Sequence, residues 1–343
     1  MGRPGTATPA AGSGGGAHGR PARRVAGSPD PPMIPPRRPN AYTGSPLDRA
    51  SHRRDDEAFI AAALADPDTV FAPVWRSKSL LRGVETGAPE AVFLTALAAA
   101  AMGIEQRPHA FLGLWGARAV FALDLSDVED PQRLVAELGA VAFTDIRTVA
   151  GQLDPAEASV LAHARGLMHW RGRHAFCGVC GGRCVPRSAG HAMACTACGA
   201  VHFPRTDPAV IMLVSHRDAA GVERCLLAHS HRFPLVQMYS TLAGFVEPGE
   251  SLEEAVAREV FEEAGVRVRD VCYHSSQPWP FPSSIMLGFY AVADEPALTI
   301  DPEELKDARW FSREDIRNIE ALGMRLPRVD SIARRLIEDW VER

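Results

Sequence analysis

Between Gly244 and Val266 the chain reads GFVEPGESLEEAVAREVFEEAGV, and seven of those 23 residues are glutamates. Ser251 and Glu254 have capping-box spacing, so a helix is expected to begin near Leu252 and stop at Gly265, a residue suited to the left-handed turn past a helix end. At about 100° per residue, Leu252, Ala255, Val256 and Val260 share one face. Glu259 and Glu263 fall inside that apolar arc, with Glu262 at its margin, whereas Glu253 and Glu254 lie well outside it. An amphipathic helix ordinarily keeps carboxylates off its apolar stripe. Clustered carboxylates repel one another unless a cation sits between them, and hard oxygen ligands call for Mg²⁺ or Mn²⁺. A solvated acidic surface helix is the plain alternative, but it leaves Gly244 and Glu250 at their offsets unexplained.

A second metal is suggested by Cys177-x2-Cys180 and Cys195-x2-Cys198, each pair followed by a glycine (Gly181, Gly199). Paired thiolates on glycine-ended knuckles suit a tetrahedral Zn²⁺, and four protein ligands make the ion structural rather than catalytic. Iron uses similar knuckles, and Cys184 is a spare thiol in the same segment. Cys225 and Cys272 lie in strand-like runs and are expected to be buried. Residues 276–284 read SQPWPFPSS, in which three prolines stiffen an extended segment that would display Trp279 and Phe281 as rigid surfaces.

Written as G-x5-E-x7-R-E-V-x-E-E-x-G-V, residues 244–266 resemble the Nudix box of metal-dependent pyrophosphohydrolases. With SQPWPFPSS and the cysteine knuckles, residues 40–343 resemble the NADH pyrophosphatase (NudC-type) family of Nudix hydrolases. That resemblance implies cleavage of NADH or NAD⁺ into nicotinamide mononucleotide and AMP, removal of NAD caps from RNA 5′ ends, and a homodimer. It implies that Glu259, Glu263 and Glu304 (Glu303 as near alternative) hold the catalytic Mg²⁺ or Mn²⁺ with the carbonyl of Ala243. Glu262 is a further ligand or a water-mediated contact, and Glu250 and Arg258 resemble the family's structural ion pair. Substrate contacts are implied for Gln277, Pro278, Trp279, Pro280, Phe281, Pro282, Ser283 and Ser284, and more loosely for Arg147 and Ala333. Phe245 matches one wall of a base-stacking sandwich. The other wall, ordinarily a tyrosine, is Phe203 in FPRTDP, which keeps the stacking face and loses a hydroxyl. The alternatives are hydrolysis of ADP-ribose or dinucleoside polyphosphates, or a zinc-ribbon regulatory protein that binds nucleotide without turnover.

These residues need a scaffold, and 343 residues with 46% hydrophobic content suffice for two or three domains. The expected organisation is a basic, Pro/Gly-rich disordered tail over 1–40, an N-terminal α/β domain over 41–173, a zinc ribbon over 174–203 and the hydrolase domain over 204–343. For the tail, a transit peptide and a translation start at Met33 are the other readings. Helices are expected over 56–65, 154–171 and 331–343. Strands are expected over 69–75, 91–97, 115–125, 203–216, 223–230 and 239–246. This order fits an α/β/α sandwich with a mixed sheet. Net charge is −5 overall and +5 over residues 1–40, leaving −10 on the body, which argues against general nucleic-acid binding through bulk charge. No apolar run approaches the length needed to span a bilayer, and a cytoplasmic location is expected.

Overall fold

In the C-terminal third, apolar residues alternate along Asp207–Arg217, so Val210, Met212 and Val214 face one way while Ile211 and Leu213 face the other. Burial on both faces makes this the centre of a sheet. The computed structural model, which describes residues 39–231 and 237–343, places it there. The strand order is Val268–Trp279, Ser284–Ala293, Asp207–Arg217, Glu223–Ser230, Leu305–Ser312, with Leu242–Phe245 also paired to Asp207–Arg217. Asp207–Arg217 runs parallel to Ser284–Ala293, from Asp207 opposite Ser284 to Ser215 opposite Val292. The other pairings are antiparallel, so the sheet is mixed.

Each face carries a helix. Leu252–Ala264 buries Ala255, Val256, Val260 and Ala264 against Val210, Met212, Val214 and Phe289. On the opposite face, Ile332–Val341 buries Ile332, Leu336, Ile337 and Trp340 against Ile211, Leu213, Cys225 and Leu227. The result is the expected α/β/α sandwich. Cys225 is fully buried, but Cys272 is exposed, contrary to expectation, because its strand is the sheet's edge.

An eight-stranded sheet occupies the first part of the described chain. The Pro155–Arg173 helix, opened by Asp154 as N-cap, packs Val160, Leu161, Ala164 and Met168 on it. Two expected strands are redrawn. Trp115 ends one strand, His109–Trp115, and Arg118 begins the next, so 115–125 straddles a hairpin at Gly116. Residues 91–97 split into the short strands Glu90–Ala91 and Leu94–Thr95, after which Thr95 caps an Ala96–Ala101 helix. Between the two sheets, Cys184–Arg187, Ala192–Cys195 and Val201–His202 form a three-stranded ribbon. The expected tail over 1–40 lies outside the described residues except for its last two. No helix among the described residues is long and apolar enough to cross a membrane.

Candidate active site and zinc centre

The helix of the glutamate-rich stretch forms as its residues predict. Ser251 Oγ accepts from the Glu254 amide at 3.2 Å, Glu254 accepts from the Ser251 amide at 2.7 Å, and Gly265 ends the helix with φ of 70°. Glu263 is 6% exposed, and Glu259 lies against the strand carrying Gly244. A Cβ on Gly244 would stand 1.8 Å from the Glu259 carboxyl carbon. Only a residue without a side chain lets that carboxylate approach the strand, which accounts for Gly244 physically.

Arg258 ties loop and helix together. Its guanidinium donates to Glu250 at 2.7 and 2.9 Å, to Glu259 at 2.8 Å, to Glu262 at 3.0 Å and to the carbonyl of Phe245 at 2.8 Å. The bidentate bond to Arg258 draws the Glu250 carboxyl down to about 2 and pushes the guanidinium up. Burial raises Glu259 despite the Arg258 contact, and the negative charges of Glu262 and Glu304 push it the same way. Glu262 is the exposed member of the set.

Ala243, Glu263, Glu303 and Glu304 line a cavity of about 320 Å³ beside this cluster. Two of the expected metal-binding carboxylates and the expected carbonyl thus share one cavity. A half-buried carboxylate, Glu259, raised by burial and by like charges beside further carboxylates, is part of a donor set that a hard divalent cation would relieve. Among the described residues, however, only four cysteines bring three or more such ligand atoms within 4.8 Å of one another. Glu259, Glu263 and Glu304 are not gathered to that spacing, and Arg258 occupies Glu259.

The four cysteines are Cys177, Cys180, Cys195 and Cys198. Cys177 Sγ lies 3.7 Å from Cys198 Sγ, and Cys180 Sγ lies 3.5 Å from Cys195 Sγ. Sulfurs about 2.3 Å from a central zinc would stand about 3.8 Å apart in a tetrahedron, so the thiols fit that ion. Amides of Val179 and Ala197 point at Cys177 and Cys195 Sγ, each at 3.4 Å. The amides of Cys180 and Val179, with His202 Nε2 at 3.3 Å from the sulfur, lower the Cys177 thiol to about 6. Cys184 stands outside the group, and sequence spacing gave no sign of the His202 contact.

The aromatic residues divide. Phe203 and Phe245 are 68% and 60% exposed and present free ring faces. Trp279 and Phe281 instead pack half-buried against the N-terminal domain, where Tyr42 lies 6.3 and 5.5 Å from their rings. Arg147 stacks over Phe281 at 5.2 Å, with Arg165 on the same ring at 4.4 Å, so two implied substrate residues do meet. Gln277 is fully buried: its amide donates to the carbonyls of Asp330 (2.8 Å) and Ala41 (3.4 Å), and its oxygen accepts from the Ile332 amide at 2.8 Å. Pro278, Pro280, Ser283 and Ser284 line a separate cleft, Pro282 sits in the turn between the strands, and Ala333 is buried in the last helix.

A mixed sheet between helical layers, with a glycine-ended loop and a helix presenting buried Glu263 and half-buried Glu259, defines a Nudix-type fold. Family models match as NUDIX domain (residues 205–336), NADH pyrophosphatase-like rudimentary NUDIX domain (68–170) and NADH pyrophosphatase zinc ribbon domain (173–203). NAD-capped RNA hydrolase NudC of Stutzerimonas stutzeri is 41% identical over 232 residues, covering 68% of this chain and 77% of that protein. Nudix hydrolase 19, chloroplastic, of Arabidopsis thaliana is 42% identical over 218 residues, covering 59% of this chain and 48% of the relative. NAD-capped RNA hydrolase NUDT12 of Macaca fascicularis is 43% identical over 202 residues, covering 55% and 43%. The match therefore spans about half the length of these last two relatives. The chain belongs to the NADH pyrophosphatase branch of the Nudix hydrolases.

Proposed function

We propose that this protein is an NAD(H) diphosphatase that hydrolyses the pyrophosphate of NADH or NAD⁺ to nicotinamide mononucleotide and AMP, and cleaves the same linkage in NAD-capped RNA 5′ ends. The observation that carries this reading is the Gly244–Glu259 approach, locked by the Arg258 fork beside the cavity of Ala243, Glu263 and Glu304. Glu259, Glu263, Glu304 and the Ala243 carbonyl would hold Mg²⁺ or Mn²⁺, which supplies charge neutralisation on the pyrophosphate and acidifies a water. The protein's own part is to hold these oxygens in place. Arg258 fixes Glu259 and Glu250 across the loop, and a glutamate of the cluster accepts the proton of the attacking water. The exposed rings of Phe245 and Phe203 offer flat faces for a base.

The naming of relatives as NAD-capped RNA hydrolases supports the cap substrate. The four-thiol cluster supports structural zinc, the family resemblance supports a homodimer, and cysteines held in no disulfide suit a cytoplasmic location. Glu263→Gln tests the reading: it should abolish NADH hydrolysis while fold and zinc content stay unchanged. Hydrolysis by that variant at near the wild-type rate would overturn the ligand assignment.

A further inference from the structure

A cleft of about 580 Å³, lined by Pro278 and Pro280, opens where the Pro155–Arg173 helix, the ribbon and the hydrolase sheet meet. Arg49 and Arg54 enter it from the first domain, His163 from the helix and His191 from the ribbon. None of its described lining residues is an aspartate or glutamate, and Glu259, Glu263 and Glu304 do not reach it. Arg205 at its rim is already paired with Asp207.

The other two guanidiniums have no carboxylate partner among the described residues. Arg49 Nη1 lies 3.1 Å from His163 Nε2, and Arg54 Nε is buried with no hydrogen-bond partner at all. Burial lowers the affinity of both arginines for their protons, and Arg49 adds to the effect on Arg54. Burial also lowers His191 to about 4 and His163 well below its ordinary value, so both imidazoles are neutral near pH 7. The cleft then holds two guanidiniums with no carboxylate beside them, Arg49 exposed and Arg54 half-buried with its Nε unpartnered, a setting that attracts an anion. Guanidinium forks match phosphate oxygens, the hydroxyls of Ser45 and Ser51 supply further donors, and the volume lies in the range of small-molecule sites.

We propose that this cleft binds a phosphate ester of mononucleotide size, its phosphate held between Arg49 and Arg54. Glu259, Glu263 and Glu304 are not part of this cleft, although Pro278, Pro280, Ser283 and Ser284 in its lining are residues for which the family resemblance implies substrate contact. The test is calorimetric titration of the full-length protein with AMP and with inorganic phosphate, in the Glu263→Gln background so that a defect in hydrolysis and a defect in this cleft are read apart. Arg49→Gln/Arg54→Gln should weaken AMP binding at least about tenfold, the worth of a charge-assisted bond, whereas Arg54→Lys should keep part of it. Binding of AMP alone marks the whole ester as the ligand, and binding of both marks the phosphate as the recognised group. Hydrogen exchange on the wild-type chain gives a readout independent of any variant's folding: AMP should protect residues 45–54 and 159–167. Unchanged affinity in the double variant, no binding tighter than about 1 mM, or protection confined to 237–245 and 303–305 would overturn the proposal.

Discussion

Replacing Gly244 by alanine isolates the geometry on which the proposed centre depends. The added methyl would stand 1.8 Å from the Glu259 carboxyl carbon and 1.9 and 2.1 Å from its oxygens, whereas real contacts of this kind essentially never fall under 3.0 Å. The Glu259 carboxylate or the strand must therefore move by at least about 1.2 Å, and displacement of about 1 Å costs on the order of 100-fold in rate. Gly244 has an ordinary backbone conformation, so the substitution brings no torsional penalty, and its strand is held by Val210 across the ladder. Gly244→Ala should therefore lower kcat/KM for NADH about 100-fold while zinc content and the thermal midpoint stay near those of the wild type. The assay is steady-state hydrolysis with Mg²⁺ and with Mn²⁺. A kcat/KM within about threefold of wild type would refute the claim that Glu259 must lie against this strand.

Arg258→Gln should remove the acid-side stability carried by Glu250. That carboxyl is depressed in the folded state, so its contribution is full above the unfolded value of about 4.3 and is lost as pH falls towards 2. The difference in unfolding free energy between wild type and variant should shrink over that window, and a pH-independent difference would count against the pairing. Cys195→Ser should remove the zinc equivalent measured by atomic absorption and unfold the ribbon, whereas Cys184→Ser should retain the metal. Equal zinc in both variants would contradict the four-thiol assignment. Gln277→Ala strips three hydrogen bonds from a fully buried site and should destabilise the fold by about 3 kcal/mol in urea titration. A loss under about 1 kcal/mol would mean those bonds are not formed.

The local geometry was legible in the sequence because it is written at short range. A capping box, a terminal glycine and the i, i+4 spacing place Glu259 and Glu263 towards the inward face of one helix, and the two knuckles place four thiols together. Where distant segments decide, the residues read differently. Trp279 and Phe281 looked like displayed surfaces, yet Tyr42, more than 230 positions earlier, packs against both. Asn40 likewise ties the start of the described chain to Ser275 and Ser276 through its side-chain amide. Gln277 spends its amide in that seam, which its motif could not reveal. Cys272 looked interior because strand periodicity does not distinguish an edge strand from a central one. The Arg49–Arg54 cleft is assembled from three regions of the chain and leaves no mark in any one of them.

The central claim is that the glutamates around Gly244 hydrolyse the pyrophosphate of NAD-type substrates. The direct measurement is kcat/KM for NADH, NAD⁺, NAD-capped RNA and ADP-ribose on one preparation of the full-length protein with Mg²⁺ or Mn²⁺, with products identified by mass. The account predicts metal-dependent release of nicotinamide mononucleotide and AMP from NAD(H), with kcat/KM at least about tenfold above that for ADP-ribose, and no turnover by Glu263→Gln. Preference for ADP-ribose, or equal rates for wild type and Glu263→Gln, would contradict it.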